Sequence, residues 1–175
     1  MRKIILVGFI GCFLSFSTNA QNLQTVIKTE ALKMARALSA MDFQAYLQFV
    51  YPTLLSDPQN KELIRKGIDS VEKYRKEFGV KVKSVLIGNP SAVITYKNVM
   101  QCTIPQTTTI EAFMGSITTE NTLIALSKDG KIWYFVDALV YKQKESKSKL
   151  PELSPQLVIP DMKPPVIHTN ESGKN

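Results

Sequence analysis

Cysteine and histidine are nearly absent. The 175 residues hold two cysteines, Cys12 and Cys102, and one histidine, His168. Cys12 falls in an N-terminal apolar run that export would remove, so Cys102 stands alone and no internal disulfide can form. One histidine and one cysteine cannot supply a zinc ligand set, and neither a metal nor a cofactor is expected. No glycine-rich phosphate loop and no G-x-S-x-G elbow occurs. A Ser-His-Asp or Cys-His device would have to recruit His168, which stands in a proline-rich tail. After residue 16 no apolar run reaches the length of a membrane span, so no transmembrane segment is expected in the mature chain. The formal charge is +7, but the 22 Lys and Arg residues are scattered. Without a basic stripe interleaved with aromatics, nucleic acid is not an expected partner.

The chain opens on Met1-Arg2-Lys3, a short positive segment, followed by an apolar run to Phe16. Ser17-Thr18-Asn19-Ala20 then offers small residues before Gln21. This is the layout of a secretory signal peptide, and the protein is read as exported, periplasmic or secreted. Phe9-Ile10-Gly11-Cys12 faintly resembles a lipoprotein box. Phe9 is a poor substitute for its leucine, and Phe13-Leu14 continues the apolar run where a polar tether would begin. Cys12 is therefore read as part of the apolar run and not as a lipid anchor.

Helical periodicity governs the next segment. Ile27, Ala31, Met34, Ala35, Leu38 and Met41 fall on one face of a helix over residues 24–41. Asp42 can cap a second helix with the stripe Phe43, Tyr46, Leu47, Val50 and Leu54, which Tyr51-Pro52 kinks or ends. Asp57-Pro58-Gln59-Asn60 reads as a turn. A third helix over residues 61–78 carries Ile64, Ile68, Val71 and Phe78 on one side, and Gly79 stops it.

The period then changes to two. Val80 and Val82 alternate with lysines, and a phase shift predicts a bulge near Ser84. Residues 92–96 read as a strand and Lys97-Asn98 as a hairpin turn. Residues 99–114 form a long strand whose even face, with Cys102, turns to the core. Pro105 cannot donate to a ladder, so it marks an edge or a bend. Gly115-Ser116 turns the chain into a strand over residues 117–128. Asp129-Gly130 predicts a type I′ hairpin returning through residues 132–141. That last strand is apolar on both sides: Trp133 and Phe135 point one way, and Ile132, Tyr134 and Val136 the other. Either the outer face meets a second subunit, giving a homodimer, or the tail covers it.

The tail is compositionally distinct. Residues 142–149 form a Lys-rich solvated linker, and five of the nine prolines lie beyond Leu150. That favours extended chain. Leu157, Val158 and Ile159 can dock as a strap, and disorder is expected after Ile167.

Helices first, then an antiparallel sheet ending in a Trp-bearing hairpin, resembles the nuclear transport factor 2-like superfamily, and in particular its small exported bacterial members. The matching pieces are Met41-Asp42-Phe43 leading to Tyr51-Pro52, the helix over residues 61–78, Thr103-Ile104-Pro105, and LIALSKDGKIWYFVD over residues 123–137. The resemblance covers residues 24–141 and not the tail. It implies an α+β fold, three N-terminal helices packed on a curved antiparallel sheet that forms a cone with an internal pocket, and often a dimer through the sheet's outer face. The organisation is then a signal peptide at 1–20, the α+β domain at 21–141, and a Lys-rich linker with a Pro-rich, partly disordered tail at 142–175.

The resemblance implies no single activity, because this fold hosts isomerases, dehydratases, cyclases and binding modules alike. Its isomerase-like members use a pocket carboxylate as base with a tyrosine or protonated carboxyl as donor. Candidates for such roles are Asp42, Tyr46, Tyr51, Tyr96, Glu111 and Asp137, and each has a plainer structural role. The expected function is a non-catalytic exported module that binds a small apolar ligand or a protein partner through a pocket or the outer sheet. The alternatives are a small-molecule isomerase or dehydratase and an envelope-associated structural component.

Overall fold

The computed structural model describes residues 16–170, with side chains from Asn22 onward apart from Glu145. Residues 1–15 of the signal peptide expected at 1–20, with Cys12, lie outside the described residues. The chain is α+β, with helices packed on a six-stranded antiparallel sheet. No described helix is long and apolar enough to cross a membrane.

Among the described residues four helices come first: α1 (Phe16–Ser39), α2 (Phe43–Leu47), α3 (Pro52–Ser56) and α4 (Pro58–Phe78). On α1, Ile27, Ala31 and Met34 are buried, as their spacing requires. The helix ends in a Schellman motif. Met41 takes a left-handed φ of 55°, while Asp42 N–H bonds Ala37 O and Met41 N–H bonds Leu38 O. Asp42 then caps α2, its Oδ1 accepting from Ala45 N–H at 3.0 Å. Tyr51-Pro52 separates α2 from the next helix, with Pro52 opening α3. The expected turn at residues 57–60 is instead the start of α4. Asp57 caps it through Asn60 N–H at 3.0 Å, and Pro58 fits the first helical turn, where no N–H is needed.

The sheet is built on two long central strands, β3 (Val99–Ala112) and β4 (Gly115–Ser127), paired along their whole length. Each is flanked by two short strands. β1 (Lys81–Ile87) and β2 (Ile94–Tyr96) pair with successive parts of β3. β5 (Tyr134–Asp137) and β6 (Val166–Thr169) pair with opposite ends of β4. The bulge falls between Val82 and Ser84, as read from the phase shift. Pro105 is in a central strand, not at an edge. Its missing N–H faces the gap between β1 and β2, where Ser91 and Gly88 bond the Thr103 and Pro105 carbonyls instead.

Of the two expected hairpin turns, the one at Lys97-Asn98 forms and the tight one at Asp129-Gly130 does not. Lys97 and Asn98 both have positive φ, 47° and 62°, between the paired residues Tyr96 and Val99. That is the two-residue type I′ connection. At Asp129-Gly130 only the glycine has positive φ, and residues 127–133 separate the paired Leu126 and Tyr134. Side chains replace the tight turn there. Asp129 Oδ1 accepts from Lys131 and Ile132 N–H at 2.8 and 2.9 Å, and Ser127 Oγ accepts from Gly130 N–H at 2.9 Å. These bonds to the charged form hold the Asp129 carboxyl below its usual range. The last strand is also shorter than expected. It stops at Asp137, whose Oδ1 accepts from Leu139 N–H at 2.7 Å and caps α5 (Ala138–Lys142).

Both sheet faces are covered around the middle of the molecule. One face places Cys102, Ile104, Leu123, Ala125, Trp133 and Phe135 against α1. The opposite face places Val99, Ile124, Leu126 and Val136 against Tyr51, Leu54, Tyr141, Leu150 and Leu157. The tail and α3 therefore pack on the outer side of the final strand. Residues 142–149 are not a bare linker: they contain α6 (Lys144–Lys147) with buried Ser146. Val166–Thr169, expected near the start of disorder, forms β6.

The candidate site and its surroundings

The segment after α2 closes the exposed edge of β5. Phe135 N–H bonds Phe49 O at 2.8 Å, and Val50 forms an isolated bridge to Phe135. This blunts an edge that would otherwise recruit another strand. α2 and this segment carry Phe43, Tyr46, Leu47 and Val50 towards α4.

α4 does not close down on them. It has no buried residue, and Leu63 is 66% exposed. Between α4 and the edge of the sheet lies a cavity of about 340 Å³. Its walls are Leu63, Ile64, Gly67 and Ile68 from α4, Phe43, Leu47, Val50 and Leu54 from the preceding segments, and Phe135, Val136 and Val140 from β5 and α5. Polar groups are few: Tyr46, Asn60, Asp137, Gln143 and Ser146. The volume and the apolar wall with a few polar points suit a small organic molecule.

Of the candidate residues, only Tyr46 and Asp137 share this cavity. Burial, and then the charge of Asp137, push the Tyr46 phenol above its ordinary range, so it is a neutral donor. No hydrogen bond among the described residues joins the two. Asp137 is held elsewhere: Oδ1 caps α5, and Oδ2 accepts from Asn121 Nδ2 at 3.1 Å. Asp42 is a helix cap facing solvent. Tyr51 is buried edge-on against Tyr134, with ring centroids 5.6 Å apart, and burial raises its phenol too. Tyr96 bonds Glu152 at 3.3 Å. Glu111 lies towards the opposite end of β3, between Lys81 at 3.4 Å and Lys83 at 3.8 Å. Sequence reasoning names Tyr46 and Asp137 but misses α4 as the cavity's far wall. The signal is present in Gly67, which interrupts the α4 stripe; beyond the helix's own backbone, an added Cβ there would meet nothing within 4 Å.

Comparison with protein-family models, curated proteins and solved structures finds no match. Among the described residues no group of three or more His, Cys, Asp or Glu side chains could hold a metal ion.

Cys102 is a core residue with no exposure, and burial pushes its thiol from 9.0 up to about 12. The unfolded chain ionises first as pH rises. Stability from this group is therefore complete below pH 9 and is lost between pH 9 and about 12, at about 1.4 kcal/mol per pH unit. Urea titrations should show this alkaline loss in the wild type and a smaller one in Cys102→Ala. A thiol reagent at pH 8 should label Cys102 only at the rate of opening; immediate labelling of the native protein would contradict the burial.

Proposed function

We propose that this is an exported, non-catalytic binding module that holds a small apolar molecule between α4 and the β5 edge. The observation carrying this reading is that α4 leaves its apolar stripe unburied over the cavity. A helix of 21 residues with no buried side chain gains little from folding against the domain alone. A ligand in the cavity would supply the missing apolar contact. Among the described residues no Lys, Arg or His side chain lines the cavity, so none of them would neutralise a carboxylate or phosphate there. The reading therefore favours a neutral apolar molecule over a fatty acid.

Gly67 provides the test. Gly67→Trp should fill the cavity from the α4 side, whereas Gly67→Ala should leave most of it open. Gently purified wild-type protein should carry an added mass of roughly a few hundred daltons by native mass spectrometry. Gly67→Ala should retain it and gain about 0.5–1 kcal/mol from helix propensity. Gly67→Trp should lose it. Equal retention by all three proteins would place any ligand elsewhere, and a bare wild type that also fails to bind apolar fluorescent probes would end the reading.

An isomerase or dehydratase is the second reading, favoured by Tyr46 and Asp137 sharing the cavity. It needs a carboxylate oxygen available to substrate, and both Asp137 oxygens already accept protein hydrogen bonds. Asp137→Asn can still cap α5 but cannot act as a base. If turnover of an identified ligand survives this change, the catalytic reading fails.

A further inference from the structure

The β3–β4 hairpin ends in a two-residue connection, Phe113-Met114, between the paired Ala112 and Gly115. These two side chains are 72% and 82% exposed. Large apolar side chains at a strand tip are expected to fold back; Phe113 does so only as far as Gly79, and Met114 stays exposed. Phe78 at the end of α4 is joined to Phe113 through the backbone, and Tyr74 lies against the Phe78 ring, both about half exposed. Ile117 on β4 and Ile167 on β6 extend the patch across the sheet, at 44% and 66% exposure. A contiguous apolar surface of this kind marks an interaction site.

The turn that presents the patch is braced from both sides. Phe113 N–H bonds Phe78 O at 3.1 Å. Asn170 bonds both tip carbonyls, its Nδ2 to Phe113 O at 3.1 Å and its N–H to Met114 O at 3.0 Å. The Phe113 ring lies against Gly79, whose left-handed φ of 62° and lack of a side chain let it approach. Gly115, at φ 149°, sits so close to the His168 carbonyl that a Cβ would clash, which seats β6 beside the tip. The apex thus shows its side chains while these backbone groups are already paired. That is the condition for entering a medium without water, where each unpaired backbone group is costly.

The charge around the patch selects the medium. Lys73, Arg75 and Lys76 lie at the end of α4, and Lys81 and Lys83 follow on β1, against Glu72, Glu77 and Glu111. Glu111 lies between Lys81 and Lys83. The rim is net positive. A symmetric contact between two copies would bring like charges together, whereas an anionic headgroup layer would meet its complement.

We infer that the β3–β4 hairpin tip, with Phe113 and Met114 at its apex, inserts into the surface of an anionic lipid bilayer. The contact is peripheral, made by an apolar apex with a basic collar. It is independent of the α4 cavity and of the C-terminal tail's linker.

Flotation with vesicles of phosphatidylcholine, with and without phosphatidylglycerol, tests this on the purified mature chain, residues 21–175. Wild-type protein should float with the anionic vesicles, weakly or not at all with the neutral ones, and less at high salt. Met114→Ser, at a side chain with little native contact, should weaken binding by about tenfold, as should Phe113→Ser. Phe113→Trp should bind and shift its emission to the blue on anionic vesicles, above a constant background from buried Trp133. Lys81→Glu with Lys83→Glu should reduce binding while leaving the apex intact. Three results would overturn the inference: no flotation of the wild type with anionic vesicles; binding unchanged in Met114→Ser; or a concentration-dependent dimer that Met114→Ser dissociates, which would make the patch a contact between copies.

Discussion

Gln101→Leu is expected to destabilise the protein by about 2–4 kcal/mol and to loosen the C-terminal strap. Gln101 has no exposed surface, although its β3 position looks like an ordinary strand site. Its amide serves as a two-sided clamp. Nε2 donates to Glu152 O at 2.8 Å, and Oε1 accepts from Ser154 N–H at 2.9 Å. In effect the side chain adds one rung of sheet pairing to a segment with no strand of its own. Leucine fills similar space, so packing changes little, but it strands a buried N–H and a carbonyl. An unpaired buried group of this kind costs about 1–3 kcal/mol. For a chain of this length the melting temperature should fall by about 5–15 °C. Hydrogen exchange at the Ser154 amide should accelerate ahead of that at Ile104. If both amides accelerate equally, or the melting temperature does not move, the strap is not held by this clamp.

The strap also has secondary holds. The Tyr141 hydroxyl accepts from Leu153 N–H at 3.2 Å, and Lys149 pairs with Asp57 at 2.8 Å at the start of α4. Glu152 takes both Lys97 and Tyr96, which keeps its carboxyl below the usual range. The Glu152 contacts are exposed and contribute little singly. The apolar contribution comes from Leu150 and Leu157, which close the face holding Ile124 and Leu126. A two-sided apolar strand thus finds its second cover within the same chain, which accounts for apolarity that would otherwise ask for a partner. Releasing the strap should expose that face, so Gln101→Leu should also raise the tendency to self-associate on warming.

What the sequence makes legible depends on which interactions are local. The α1 face, the Asp42 cap and the Gly79 stop depend on neighbours within a turn of helix, and the spacing shows them. The Lys97-Asn98 turn and the bulge near Ser84 depend on adjacent residues. The Asp129-Gly130 pair reads as a tight hairpin and is not one, because Ser127 and Asp129 side chains capture the backbone N–H groups a tight turn would have left to the ladder. Nothing in the pair itself reveals that competition. The Gln101 clamp joins residues more than fifty apart, and no pattern along the chain marks it. The cavity is legible only in part. Tyr46 and Asp137 can be named as polar residues of the right kind, but their meeting depends on where β5 stops. The looseness of α4 is a tertiary fact, since its stripe reads like that of any buried helix.

Trp133→Ala is expected to have a still larger effect than Gln101→Leu, a loss of about 3–5 kcal/mol. Trp133 is 2% exposed and lies in the core between α1 and the sheet, alongside Phe135 and Leu123. It is outside any regular strand, at the end of the connection from β4 to β5, so its position depends on packing and on one polar bond. The indole Nε1 donates to Gly130 O at 3.1 Å, tying the turn to the core. Alanine would remove both the apolar volume and that tie, leaving a cavity against α1. Phenylalanine should retain most of the volume, lose the bond and cost about 1–2 kcal/mol. The difference between the two variants separates packing from tethering. Urea unfolding must be followed by far-ultraviolet circular dichroism, since the substitution removes the only tryptophan. Domains of this size have about 5–15 kcal/mol in all, so Trp133→Ala should be marginally folded at 37 °C. A loss below about 1 kcal/mol would mean that the α1 face closes without the indole. α1 would then be held by Ile27, Ala31 and Met34 against the remaining sheet residues Cys102, Ile104, Leu123, Ala125 and Phe135, and the tryptophan would serve only to shape the turn.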